Sequence, residues 1–178
     1  MTQPLAPNPK VVDEASLLVI REQARAAGKT VVWTNGCFDL LHVGHIRNLQ
    51  AARRLGDLLV VGLNSDASVR RLKGPGRPIV PEAERAEVLA ALECVDYVVI
   101  FDDLEPSRIL GRVRPDIHCK GADYAPPGGK PIVEAGVVAS YGGRIEFLPL
   151  VEGVSTTDLV RRICEAGSGA AEREGPGA

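Results

Sequence analysis

Two histidines three residues apart, His42 and His45, stand just past a run of β-branched and aromatic residues, Val31-Val32-Trp33-Thr34, and an Asn35-Gly36 turn signal. From Thr34 the chain reads TNGCFDLLHVGH, and Ile46, Leu49, Ala52 and Leu55 then recur at helical spacing until Gly56. Residues three apart at a helix start can face one side. A helix start also offers unpaired N–H groups and positive dipole character, so a phosphate there meets backbone amides and two imidazoles, while Gly44 removes bulk between them. The same pair can be read as a helix cap, or as metal ligands with Cys37. Three facts favour phosphate: the chain has 3 histidines and two are here, a glycine-bearing loop holds them, and that loop follows a first strand, where α/β sheets bind ligands. A third and fourth ligand at zinc spacing are missing. Asp39, just ahead of the pair, is a candidate to orient substrate or to help hold a metal ion, and equally a turn cap.

Other segments carry matching chemistry. Lys73 and Arg77 fall in a stretch opened by Gly74 and Gly76 and stiffened by Pro75 and Pro78, which suits cations closing over a polyphosphate and also suits a solvated basic loop. Ser155-Thr156-Thr157-Asp158 precedes Leu159, Val160 and Ile163 and reads as the N-cap of a last helix, whose hydroxyls can hold phosphate oxygens as well. Lys120 follows an expected strand end, and Gly121 lets the backbone approach a base. Arg85 keeps helical spacing with Val88, Leu89 and Leu92, so its stem should cover apolar surface while its head reaches water.

These residues need a scaffold. Helices are expected over residues 12–27, 82–92, 107–113, 132–141 and 155–166, and strands over 31–34, 58–63, 95–101, 116–119 and 144–148. The run 58–63 is continuously apolar, as in a strand covered on both faces. This alternation predicts right-handed βαβ crossovers and a Rossmann-like, doubly wound parallel sheet of about five strands, with ligands at the strands' carboxyl ends. One domain, residues 11–166, suits 178 residues of 45% hydrophobic composition; residues 1–10 and 167–178 hold little to bury and are expected as mobile, disordered tails. The net charge of -2 excludes a basic nucleic-acid surface. No apolar stretch nears the roughly 18 residues of a membrane span. The 4 cysteines, Cys37, Cys94, Cys119 and Cys164, form no C-x-x-C pair and read as free thiols of a cytoplasmic protein.

The stretch around His42-Val43-Gly44-His45 resembles the cytidylyltransferase-like nucleotidylyltransferases of the H-x-G-H type, and in detail the ADP-heptose synthase adenylyltransferase family. The likeness extends to Leu63-Asn64-Ser65-Asp66, to residues 69–78, to Lys120-Gly121-Ala122-Asp123-Tyr124 beside that family's K-G-G-D-Y, and to Glu152-Gly153-Val154-Ser155-Thr156-Thr157 beside its E-G-x-S-T-T. It covers residues 12–164. The resemblance implies transfer of AMP from ATP to D-glycero-β-D-manno-heptose 1-phosphate, with Mg²⁺ accompanying ATP, a homodimer, and a place in cell-surface polysaccharide synthesis. It implies His42, His45 and Lys73 as catalytic residues. It implies a nucleotide site of Asn35, Gly36, Cys37, Phe38, Asp39, Gly44, Lys120, Gly121, Asp123, Ser155, Thr156 and Thr157, with phosphate contacts from Arg77 and Arg85. Other members carry a sugar kinase domain for which 178 residues leave no room, so a stand-alone transferase is expected. The alternative acceptor is glycerol 3-phosphate with CTP, against which Leu150-Val151 counts, since those enzymes tend to have R-T there. Two non-enzyme rivals are a nucleotide sensor, which has no need of paired imidazoles, and a flavodoxin-like carrier, whose hydroxyl-rich phosphate loop is missing.

Overall fold

The computed structural model describes residues 8–149, 151 and 153–171, with side chains up to residue 166. The elements run α1 (Glu14–Ala26), β1 (Val31–Gly36), α2 (Val43–Arg53), β2 (Leu58–Asn64), α3 (Asp66–Lys73), α4 (Glu82–Ala90), β3 (Tyr97–Phe101), α5 (Ser107–Val113), β4 (Ile117–Gly121), a 3₁₀ turn (Ala122–Tyr124), α6 (Ala135–Ser140), β5 (Arg144–Leu148) and α7 (Thr156–Ala171). The five strands are parallel and ordered β3-β2-β1-β4-β5. The expected doubly wound sheet is therefore observed. Chain order reverses at β1, which has β2 on one side and β4 on the other, and such switch points open a crevice at the strands' carboxyl ends.

The period-2 alternation of strand side chains divides the core in two. Val32, Leu59, Val61 and Leu63 point to the layer containing Leu49 and Ala52 of α2 and Ala86 and Leu89 of α4. Val31, Trp33 and Val60 point to the other, against Leu17 of α1, Ile109 and Leu110 of α5 and Val138 of α6. The Trp33 indole needs a gap in β2: a Cβ on Gly62 would stand 2.3 Å from its Cζ2. Asp13 caps α1 by accepting from Ser16 N–H at 2.7 Å, and Gly28 at φ +67° ends it.

Three expectations need correction. The stretch containing Lys73 is not loop throughout: Ser65 accepts from Ser68 N–H at 3.1 Å and starts α3, which ends at Lys73. Residues 8–10 are not free, because Lys10 donates to the carbonyls of Leu92 and Val95 at 3.2 and 2.7 Å and Val11 bridges to Val98. At the other end α7 continues to Ala171; residues 1–7 and 172–178 of the expected tails, and Leu150 and Glu152, lie outside the described residues. Among the described residues no helix is long and apolar enough to cross a membrane.

Candidate active site

The loop from β1 to α2 sets the histidines. His42 is the N-cap residue of α2, with extended backbone (φ -140°, ψ 169°), yet its ring caps nothing. It stacks on the ring of His45, with centroids 3.8 Å apart and planes inclined 25°, and Phe38 meets His45 edge-on at 5.4 Å. Gly44 makes the stack possible: a Cβ there would lie 3.0 Å from Cε1 and Nδ1 of His42. Phe38 itself holds φ +44°, a left-handed conformation costly for a bulky residue and concentrated at functional sites. The Nδ1 atoms of both rings are buried and unpartnered among the described residues. Burial, reinforced by the neighbouring His42, pushes His45 down to about 4, and burial lowers His42 as well, so both are neutral imidazoles near pH 7.

Two adjoining cavities share Gly36, Cys37, Phe38, His45 and Lys73. One, of about 460 Å³, runs across the sheet's carboxyl edge past Asn35, Asn48 and Asn64 to Lys120 and Glu134. The other, of about 520 Å³, reaches Asp39, Arg77, Thr156 and Thr157. His42 opens on a third space of about 430 Å³ shared with Ser155, Arg161 and Arg162. A larger cavity, about 570 Å³, lies at the strands' amino ends between Arg21, Arg114 and Tyr141 and contains none of the candidate residues.

The acidic and basic candidates divide into committed and available groups. Asp39 accepts from Arg77 Nη1 at 2.5 Å and from the N–H groups of Ile79 and Val80 at 2.8 and 3.0 Å. Burial pushes its pKa up, but the Val80 and Ile79 amides and Arg77 outweigh it and hold the carboxyl below its ordinary value. Both of its oxygens thus pin the Pro78 loop at the edge of the cavity. Arg85 is the larger correction. Its head reaches neither water nor a phosphate site, since the residue is 2% exposed. It donates to the carbonyls of Val80, Cys37 and Asn64 at 2.9, 2.5 and 3.0 Å and to Asp66 at 2.7 Å, a strut joining β1, β2 and α4. Burial pushes the Cys37 thiol up.

Lys73 is exposed and lines both shared cavities. The Ser155 hydroxyl is engaged with Asp158, donating to its carboxylate at 2.7 Å and accepting its N–H at 3.0 Å, while Thr156 donates to Leu40 O at 3.5 Å. Asp123 is outside the cavities; it pairs with Lys130 at 2.6 Å and closes the loop after β4. Gly121 and Lys120 line the sheet-edge cavity. Sequence reasoning named Tyr124 only as part of the segment 120–124 and missed Asn48, Glu134 and the buried His118. A signal existed for the last two: His118 and Lys120 alternate on β4 and so share a face, and Glu134 is the N-cap residue of the helix that packs there.

A cytidylyltransferase-like family model matches residues 33–162. The chain belongs to the cytidylyltransferase-like family. This cytidylyltransferase-like chain is 59% identical over 150 residues to the bifunctional protein HldE of Syntrophotalea carbinolica, covering 84% of itself and 30% of that relative. It is 53% identical over 156 residues to the HldE of Pelobacter propionicus, covering 88% and 31%. The chain therefore spans about a third of the length of these curated relatives. Among solved structures it resembles a lipopolysaccharide core biosynthesis protein from Thermoplasma volcanium GSS1, with TM-score 0.55, 28% identity, and 70% and 98% of the two chains covered. A pantoate-beta-alanine ligase from Francisella tularensis, 14% identical with TM-score 0.55 over 84% and 75% of the chains, shares the fold.

Proposed function

We propose that this chain is an adenylyltransferase that transfers AMP from ATP to D-glycero-β-D-manno-heptose 1-phosphate, releasing pyrophosphate and ADP-heptose. The observation that carries it is the stacked, uncapped His42–His45 pair at the sheet's switch point, opening on cavities that also hold Lys73 and Lys120. The identity with bifunctional HldE proteins and the likeness to a lipopolysaccharide core biosynthesis protein support a sugar phosphate as acceptor and a role in making cell-surface polysaccharide.

The chemistry follows from the groups present. An oxygen of the acceptor's phosphate monoester attacks the α-phosphorus of ATP in line, the bond from that phosphorus to the bridging β-oxygen breaks, and pyrophosphate leaves with the electron pair. The attacking oxygen needs no deprotonation. The protein positions and neutralises: neutral His45 and His42 donate N–H bonds, Lys73 supplies charge from the end of α3, and Thr156 and Thr157 border the same space. Mg²⁺ would accompany ATP and neutralise charge on the triphosphate, with Asp39 the carboxylate lining that cavity. The thiols of Cys37, Cys94 and Cys119 support a cytoplasmic setting, and the family resemblance supports a homodimer.

The test is pyrophosphate release with ATP, CTP, GTP and UTP, each against heptose 1-phosphate, glycerol 3-phosphate and FMN. Release is expected with ATP and heptose 1-phosphate; release confined to CTP and glycerol 3-phosphate would overturn the assignment.

A further inference from the structure

We infer that Glu134 is a positioning residue: it fixes the Lys120 ammonium in the wall of the sheet-edge cavity, and His118 fixes Glu134 in turn. The inference rests on reading that cavity as part of the nucleotidyl-transfer site. His118 is 0% exposed and Glu134 3%, and one carboxylate oxygen, Oε1, meets both His118 Nε2 at 2.9 Å and Lys120 Nζ at 2.7 Å. The Lys120 ammonium also stands 4.5 Å from the centre of the Tyr124 ring, a cation–π distance. Two partners thus hold the end of a flexible four-carbon stem.

The charges are consistent with this role. Burial pushes the Glu134 carboxyl up, but the His118 and Lys120 hydrogen bonds overcome it and hold the group down at about 2, so it is ionised. Burial also lowers His118, overriding the opposing pull of Glu134, so its ring donates through Nε2 while uncharged. The cluster is one ammonium, one carboxylate and one neutral imidazole, with no net charge to keep out of water.

A carboxylate in the wall of a cavity that receives a triphosphate weakens ground-state attraction. Its benefit must therefore come as placement: a donor already in position stabilises developing charge without reorganisation, and that gain appears in kcat. The third partner distinguishes this from an ordinary ion pair, because neutral His118 contributes no attraction to a phosphate and serves only to orient Glu134.

The experiment is a double-mutant cycle on pyrophosphate release with ATP and heptose 1-phosphate. Glu134→Gln is expected to lower kcat on the order of 10- to 100-fold, the effect of a displacement near 1 Å, without raising KM for ATP. Lys120→Ala should lower kcat comparably, and the double variant should fall within about twofold of Lys120→Ala, because Glu134 acts through Lys120. Glu134→Asp, which keeps the charge but withdraws it by one methylene, provides a milder variant and should lose kcat while keeping its KM. Additive losses, or a Glu134→Gln kcat within about threefold of wild type, would overturn the inference. So would a normal kcat for Lys120→Ala, and that result would leave the proposed reaction intact, since wild-type product formation alone tests it.

Discussion

The Asp39–Arg77–Arg85–Asp66 buttress and the His42–His45 pair are both attached to the loop after β1, and they treat their polar atoms in opposite ways. In the buttress every charged group is matched: Arg85 uses Nε, Nη1 and Nη2, and Asp39 uses both oxygens. In the pair, both Nδ1 atoms are buried without a partner among the described residues, and the N-cap ring makes no capping hydrogen bond. Buried unpaired polar atoms cost stability, and among the described residues the pair shares this with His118 Nδ1 and the Tyr141 hydroxyl. Arg85 and Asp39 are committed within the protein, while Arg77 still lines the cavity beside Lys73. The buttress holds the loop that holds the pair.

That difference can be broken experimentally. Arg85→Met strands Asp66 and three carbonyls and should cost about 3–5 kcal/mol of stability, measured by urea unfolding; a loss below about 1 kcal/mol would remove the distinction between buttress and pair. Gly44→Ala should act in the reverse sense. Its Cβ, 3.0 Å from the His42 ring, disturbs the stack and is expected to lower kcat about 10-fold, while alanine's better helix propensity leaves the melting temperature unchanged or slightly raised. Normal turnover in that variant would make the stack incidental.

Acidity sharpens the comparison further. A folded-state value of about 4 for His45, below its ordinary 6.5, means the folded chain binds fewer protons than the unfolded one between those limits. Stability should then be level above pH 6.5 and fall as pH drops toward 4, with His42 and His118 shifted in the same direction. Glu134, held at about 2 against 4.5, contributes stability above pH 4.5 and loses it only in stronger acid. Urea midpoints at pH 7 and 5 should differ, and His45→Asn should narrow the difference; equal midpoints in the wild type would contradict the neutral, desolvated pair.

The sheet was readable because β2 and β3 are continuous apolar runs and because glycine marks the ends of α1 and α2. Helix α3 was not, since DASVRRLK buries only Ser68 and Val69 and leaves no periodic apolar face to detect; its Ser65 cap was the one cue. The histidine pair was visible through its spacing after a strand. Arg85 was misjudged for a physical reason: its neighbours at helical spacing are apolar, but the four acceptors that bury its head come from residues 5 to 48 positions away. Asp39 likewise looked available because its donors lie 38 to 41 residues downstream. Local pattern gives the direction of a side chain, and only tertiary contact shows whether its charge is already used.

The most direct test of the account is kcat for pyrophosphate release by His45→Asn at saturating ATP and heptose 1-phosphate, read beside its melting temperature. A loss of about 10²- to 10³-fold with an unchanged or higher melting temperature is predicted, since a transition-state donor is removed along with a buried unpaired imidazole. A kcat within about threefold of wild type would contradict the assignment of the pair to the chemistry.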